Sequence, residues 1–442
     1  MTIAQHYHTT LKLALPVIIG QLGQIMVSVA DSIMVGQLGT IPLAAAGFAN
    51  SIFIVVLVFG MGLAYGLTPI VATAAGMNRK HIQGVLLRQS FYLNVLVALG
   101  LTGIMLATIP VFPFLGQEQE VLNQSKNYYL ILSATILPIM LYLSFKQFAE
   151  GLADTRTAMV ISILCNLANI GLNYLLIYGH FGMPEMGLEG AGIATFIARV
   201  LMLFLMAHYV LNADKFDRYH LSLKFHKARK KVLRKLLSVG IPTGLQYLFE
   251  VSAFSVAAIL AGMISAEALA AHQIAINIAS VTYMAASGLG AAATVRVGNQ
   301  AGAGDLKNLK LAAKSIFTLS VGWMAFAGLA IFLFKEDLAG FYSNDPYVLD
   351  LAVKMLIVTV FFQLSDGIQV VALGALRGFT DVKIPTIITF VSYWIIALPI
   401  AYLLSQKLSY GALGIWYALA GGLTISAILL VIRFRGELRR FA

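Results

Sequence analysis

The chain is a succession of long apolar runs, each about as long as the ~20 residues that carry an α-helix across a bilayer core. That pattern leaves few folds open. Composition agrees, since 59% of residues are hydrophobic and 11% charged, against roughly 25% charged in a soluble domain. Twelve spans are read, centred on 11–36, 46–75, 86–109, 127–149, 158–179, 190–210, 234–263, 268–296, 312–334, 348–373, 384–404 and 411–432. The expected fold class is therefore an all-α polytopic membrane protein with twelve transmembrane helices. The opening MTIAQHYHTTLKLALP lacks the parts of a cleaved signal peptide, so the first run reads as a permanent span. The single cysteine, Cys165, excludes a disulfide framework and a Cys-based metal site.

Short punctuated segments such as GHFGMPEMG (179–187) and NQAGAGD (299–305) read as connections. The exception is NADKFDRYHLSLKFHKARKKVLRK at 212–235, a basic cytoplasmic linker between two halves of six spans. The expected organisation is an N-lobe over 1–211, the linker over 212–235, and a C-lobe over 236–442. Lys and Arg set the orientation. With the N-terminus cytoplasmic, Arg79, Lys80, Arg88, Arg156, the linker cluster, Arg296, Lys307, Lys310, Arg377, Lys383 and Arg433 lie inside. Only Lys126, Lys335, Lys354 and Lys407 lie outside. Both termini are thus expected in the cytoplasm of a bacterial inner-membrane protein, and the bias accounts for the net charge of +11 without a nucleic-acid partner.

The halves repeat. At constant register Pro16 meets Pro242, Gly36 meets Gly262, Leu43-Ala44-Ala45 meets Leu269-Ala270-Ala271, and Thr68 meets Thr294. After one inserted residue, GLADTRTAM (151–159) overlies GFTDVKIPT (378–386), with Asp154 on Asp381 and Arg156 on Lys383. An even number of spans per half makes the repeats parallel, giving two pseudo-symmetric six-helix lobes, an architecture of secondary transporters. Two such bundles facing a central cleft would rock to give alternating access. Asp154 and Asp381 read as cytoplasmic helix-end pairs beside Arg156 and Lys383.

Inside the spans stand three acids, Asp31, Glu250 and Asp366. An ionised Asp at mid-bilayer costs at least ~2.5–3.5 kcal/mol, so such groups are usually functional. Under the repeat Asp31 falls on Ala257, Glu250 on Gln24 and Asp366 on Ile139. The scaffold is duplicated and the acids are not, which favours ion or substrate handling over symmetric structural pairing. Asn169 and Asn173 lie four apart on one helix face. They either coordinate a cation with Asp31 or knit helices together. Gln363, Asp366 and Gln369 recur every three residues as one polar stripe, and Gln246 precedes Glu250 by four. His272 and Gln273 open the eighth span, where His272 reads as a helix-end or interhelical hydrogen-bonding residue rather than a proton shuttle. Pro16, Pro138, Pro242 and Pro399 are positioned to kink helices.

A buried carboxylate is a switch, because desolvation favours its protonated form and an arriving cation its ionised form. Protons or sodium competing with a cationic substrate for such acids produce antiport. No GxxxxGK[ST], HExxH, CxxC or GxSxG is present, so neither an ATP-driven pump nor an enzyme is expected.

These residues resemble the multidrug and toxic compound extrusion (MATE) family, in particular its NorM-like bacterial branch. The resemblance rests on ALPVIIGQLGQIMVSVADSIMVGQLG, EGLADTRTAM, NLANIGLNYLLIYGHFGMPEMGLEGAGIAT, GIPTGLQYLFEVSAFSVAAILAG, AAHQIAIN, RVGNQAGAGD, DGIQVVALGALRGFTD and SYWIIALPIAY. It implies two lobes and export of organic, mostly cationic and aromatic compounds in exchange for sodium or protons, without a cofactor. It also implies a cation or proton site of Asp31, Asn169, Asn173 and Thr195 in the N-lobe. Glu250 and Asp366 form the implied C-lobe cation site, where sodium is expected, with Gln246, His272, Gln273 and Gln363 in support. Phe362 stands where some relatives of that branch have a tyrosine, which leaves both coupling ions open. Partners are small-molecule drugs and membrane lipids, and the chain is expected to act as a monomer. The alternatives are a flippase for lipid-linked precursors, disfavoured by mainly acidic mid-span charge, and a polytopic membrane enzyme.

Overall fold

A computed structural model describes residues 2–219, 221–223, 228–408 and 410–441. His220 and residues 224–227 of the basic segment lie outside the described residues, so that part of the expected linker has no structural account. Among the described residues the protein is all-α, with twelve helices long and apolar enough to cross a membrane. In chain order these are α1 (Ile3–Gly36), α2 (Thr40–Gly76), α3 (Lys80–Leu115), α4 (Gln119–Gly151), α5 (Arg156–Tyr178) and α6 (Gly187–Asn212). The second half comprises α7 (Lys230–Gly262), α8 (Ala266–Ala303), α9 (Leu306–Gly340), α10 (Pro346–Gly378), α11 (Lys383–Lys407) and α12 (Gly411–Phe441). Leu96, Leu99 and Ile104 of α3 and Phe326, Leu329 and Leu333 of α9 are exposed, the pattern of a stripe that faces lipid.

Several helices outrun their apolar cores. α8 continues for 38 residues through Asn299 and Gln300, so NQAGAGD is mostly helix rather than connection. Its alanines favour helix, and the chain turns only at Gly304, where φ is +71°. α7 likewise begins at Lys230, inside the basic segment. Pro16 and Pro242 lie within α1 and α7. Pro399 falls between two π-helical stretches of α11, Val391–Ala397 and Leu403–Lys407. A proline frees the carbonyl one turn back, and a wider turn is one way the helix accommodates it.

The chain forms two compact units. One covers residues 19–244; the other joins the residues up to Ile18 to those from Leu245 onward. Both boundaries fall two residues past a helix proline, Pro16 or Pro242. The division by contact thus differs from a cut at the basic segment. Leu13 and Ala14 of α1 share a core with Leu289, Ala292 and Val371, while Leu236 of α7 belongs to the core of Phe53, Phe112, Met140 and Phe145.

The repeat is visible bond by bond. Thr68 Oγ1 donates to the Gln147 carbonyl at 3.3 Å, and its counterpart Thr294 Oγ1 donates to the Gly374 carbonyl at 3.0 Å. Left-handed turn residues recur in register, Asn78 (φ 55°) with Gly304 (φ 71°) and Ala153 (φ 66°) with Thr380 (φ 59°). Each of the latter pair precedes an acid of the repeat. Asp154 takes Lys215 at 2.6 Å and Asp381 takes Arg433 at 2.7 Å. The partners expected from sequence, Arg156 and Lys383, are not the ones used. Asp154 and Asp381 stand in the turns just before the helices that Arg156 and Lys383 open, and their cations come instead from Lys215, in a short helical turn after α6, and from Arg433 of α12.

Candidate functional site

The three mid-span acids singled out from the sequence lie in two clusters, Asp31 in one unit and Glu250 with Asp366 in the other. In the 19–244 unit, α5 presents Asn169 and Asn173 one turn apart on a buried face. Asn173 Nδ2 donates to Asp31 Oδ1 at 2.5 Å. With its carboxamide turned so that both ends are satisfied, Asn169 donates to the same Asp31 oxygen at 3.2 Å. Its own oxygen then accepts the Thr195 backbone N–H at 3.2 Å. The Thr195 hydroxyl donates to the Ala191 carbonyl at 3.0 Å, so it is the backbone of Thr195 that joins the cluster. The structure thus brings Asp31, Asn169, Asn173 and Thr195 together from α1, α5 and α6.

A second layer was not visible in the spacing. Arg199 sits one turn beyond Thr195, at the middle of α6, within electrostatic reach of Asp31 and Tyr128. Its guanidinium donates to Thr135 Oγ1 and lies 5.1 Å above the centre of the Phe53 ring. Asn50 Nδ2 donates to the Tyr128 hydroxyl at 3.5 Å. No local pattern in the sequence marks Arg199 as a neighbour of this cluster.

In the other unit, Glu250 of α7 and Asp366 of α10 are both buried, 7% and 4% exposed, and feel each other's charge. Gln369 Nε2 reaches Glu250 Oε1 at 3.3 Å and the Tyr393 hydroxyl at 3.0 Å. Asp366 has no hydrogen-bond donor among the described residues. Tyr283 and Tyr393, from α8 and the π-helical part of α11, also lie in the field of both acids. Arg377 is the nearby cation, touching the Tyr247 hydroxyl (3.4 Å) and Gln246 Oε1 (3.5 Å).

The supporting residues divide. Gln246 joins the cluster through Arg377. Gln363 turns away and donates to Thr282 Oγ1 at 2.5 Å, so Gln363 and Gln369 serve different neighbours. The expected single stripe fans out because three residues advance a helix by less than a full turn. His272 is buried 5.7 Å from the Trp416 ring, and its Nδ1 has no partner. It makes no hydrogen bond among the described residues, contrary to the expected interhelical one, and lies beside Trp416 of α12. Gln273 is exposed. Neither residue is brought to the acids by any recorded contact. Phe362 is buried between Phe254 (6.3 Å) and Trp416 (5.8 Å).

Comparison with known proteins shows the family. The MatE family model matches residues 16–175 and again 242–403. These two matched stretches begin at Pro16 and Pro242, which the repeat places on one another. The "Probable multidrug resistance protein NorM" of Brucella suis is 35% identical over 97% of this chain and 92% of its own length. The multidrug resistance protein NorM of Vibrio cholerae is 32% identical over 95% and 93%. Among solved structures, the eukaryotic MATE transporter AtDTX14 superposes with a TM-score of 0.89 at 20% identity, covering 99% of this chain and 98% of that one.

Proposed function

The chain belongs to the MatE family, and from that premise we propose that it is a secondary active antiporter, not an enzyme. It exports organic, mostly cationic and aromatic compounds by alternating access, in exchange for sodium ions or protons. The resemblance to NorM multidrug resistance proteins over nearly the whole chain supports the export of drugs. The location is the bacterial inner membrane, with both termini cytoplasmic.

One observation carries the coupling. Asp366 is 4% exposed, stands beside a second buried acid, and receives no hydrogen bond among the described residues. A buried charge without a partner costs several kcal/mol. Such a group is at rest only when a proton or a cation satisfies it. The donors around it are carboxylate, carboxamide and phenol oxygens, which suit a hard cation such as sodium. Loading this cluster and the Asp31 cluster from one side of the membrane, and releasing to the other, links ion entry to substrate exit. Each charge moved down the membrane potential supplies ~2.3 kcal/mol per 100 mV.

The test is efflux of a fluorescent organic cation from proteoliposomes under an imposed sodium gradient and, separately, a pH gradient. Gradient-driven efflux in at least one condition is expected. Its absence in both overturns the reading.

A further inference from the structure

We propose that His6 of α1, Arg296 of α8 and Asn308 of α9 form a proton-sensitive clasp that fastens the start of α1 and opens when His6 takes up a proton. The clasp goes beyond the transport reaction, and the orientation proposed above decides only that the proton comes from the cytoplasm.

Its contacts all lie within one unit. His6, Thr10 and Ser315 are fully buried, and Arg296 is 5% exposed. Arg296 Nη1 donates to the His6 carbonyl at 2.7 Å, to Ser315 Oγ at 3.2 Å and to Thr10 Oγ1. Its Nη2 donates to His6 Nδ1. The guanidinium makes no salt bridge among the described residues. On the far side of the ring, His6 Nε2 stands 3.0 Å from Asn308 Oδ1. Asn308 Nδ2 donates to Asp305 Oδ2 at 2.7 Å, which leaves the Asn308 oxygen for the imidazole.

These partners allow the ring one state. A guanidinium only donates and stays charged, so Nδ1 must offer its lone pair. Nε2 then carries the hydrogen given to Asn308. A proton added to Nδ1 would set donor against donor and cation against cation. The charged groups that act on His6 are Arg296 from α8, the amino terminus of its own chain end and Asp305 from the start of α9. Asp305 is joined to the ring only through Asn308, whereas Arg296 touches it. Histidine is the side chain that changes charge between pH 5 and 8, so mild acid is the signal.

The other unit shows that the scaffold does not require this arrangement. In the register of the repeat His6 falls on Val232, Thr10 on Leu236 and Arg296 on Ile70. All three belong to the apolar core of that unit or pack against it. Such residues fill the same place without the cost of desolvating a guanidinium. As with the mid-span acids, the helices are duplicated and the polar chemistry is not.

The experiment is hydrogen–deuterium exchange of the purified full-length chain at pH 8 and pH 5.5, with rates divided by the intrinsic exchange rate at each pH. Protection of residues 3–13 is expected to fall roughly ten- to hundredfold at pH 5.5, the worth of one hydrogen bond to a charged group. Residues 230–239, their counterparts in the repeat, are expected to stay unchanged. His6→Gln keeps an acceptor for Arg296 and a donor for Asn308 but does not titrate, and it is expected to remain protected at both pH values. His8, two residues on, is exposed, and His8→Gln is expected to keep the acid effect. Should His6→Gln not purify as a single species, Arg296→Met is expected to lower protection of residues 3–13 equally at both pH values. Equal protection of the unaltered chain at pH 8 and 5.5 overturns the proposal. So does an acid effect that survives His6→Gln or Arg296→Met, disappears with His8→Gln, or loosens residues 230–239 as much.

Discussion

Asn173 of α5 donates a 2.5 Å hydrogen bond to Asp31 of α1 across 142 positions of sequence. The contact joins two elements of the 19–244 unit at a point where the repeat offers Ala257 instead of an acid. The duplicated scaffold has no need of it, so its chemistry can be removed without removing a fold-defining bond.

Asp31→Asn preserves the size and much of the hydrogen bonding of the side chain while deleting its charge. The variant is expected to purify as a single species and to lose coupled efflux of an organic cation by tenfold or more, equivalent to at least ~1.4 kcal/mol. Asn173→Ala removes a hydrogen bond to a charged group, worth ~1.5–3 kcal/mol, and is expected to lower efflux as well. Efflux from proteoliposomes measures both. Normal transport by Asp31→Asn removes the acid from the mechanism.

Glu250 and Asp366 share one field, so their replacements are not expected to add. Glu250→Gln alone and Asp366→Asn alone should each abolish most ion-dependent efflux, and the double variant should be little worse. Tyr393→Phe removes only a contact to Gln369, a net ~0.5–1.5 kcal/mol, so a loss of a few-fold is expected. Independent, multiplying losses at Glu250 and Asp366 would mean two separate sites.

Outside the spans, Lys215 gives a pH dependence with a definite sign. Partial burial works against its charge, but hydrogen bonds to Asp154 and Tyr209 outweigh it and hold the ammonium above its ordinary range. A group whose folded-state value is raised contributes its full stability below the unfolded value and loses it as pH rises through the folded one. The contribution is therefore present at neutral pH and fades only under strongly alkaline conditions. The side chain is 46% exposed, so screening limits it to a few tenths of a kcal/mol. Lys215→Met should lower the melting temperature slightly at pH 7 and not at all once the lysine is deprotonated. A deficit that persists unchanged into that alkaline range would assign the effect to lost packing.

Much of this was legible in the residues. Twelve apolar runs gave the helices, and Thr68 on Thr294 or Asp154 on Asp381 anticipated hydrogen bonds and turns that recur. Asp31, Asn169 and Asn173 could be grouped because two carboxamides four apart must share a face. What the sequence could not supply were distances across helices. Arg199 and Asp31 are 168 positions apart by their numbers, and nothing local marks their proximity. Asp154 takes Lys215 rather than Arg156 two residues on, a partner that nearness in sequence does not indicate. His272, followed by Gln273 in an otherwise apolar stretch, ended beside Trp416, which another helix supplies.

The turns before the repeated acids hold strain that can be relieved. Ala153 and Thr380 adopt φ of 66° and 59°, a region that costs a residue with a Cβ roughly 1–2 kcal/mol. β-Branched Thr380 is the more strained of the two. Ala153→Gly and Thr380→Gly should each be stabilising by up to ~1 kcal/mol net, because glycine's greater unfolded-state freedom offsets part of the gain. Thermal unfolding in detergent followed by tryptophan fluorescence or size-exclusion recovery measures the shift. A lowered transition in both variants would show that the side chains are held by contacts worth more than the strain.

Close approach of α8 and α10 gives the sharpest stability contrast. A Cβ added to Gly374 would stand 2.2 Å from the carbonyl oxygen of Gly290, and the obstacle is backbone, which cannot rotate aside. The same short separation lets Thr294 Oγ1 reach the Gly374 carbonyl at 3.0 Å. In the first unit the equivalent position is Gln147, whose Oε1 accepts from Thr68 at 2.5 Å, so that pair of helices is spaced for a side chain. Gly421 of α12 has no atom within 4 Å of an added Cβ. Gly374→Ala must therefore part α8 from α10, and overpacking of this kind costs ~1–3 kcal/mol or more. Gly421→Ala should instead be neutral or slightly stabilising, because alanine is the better helix former. Parallel thermal melts of the two variants decide the matter. Equal melting temperatures would mean that α8 and α10 separate easily, and the tight glycine contact would then have no structural consequence.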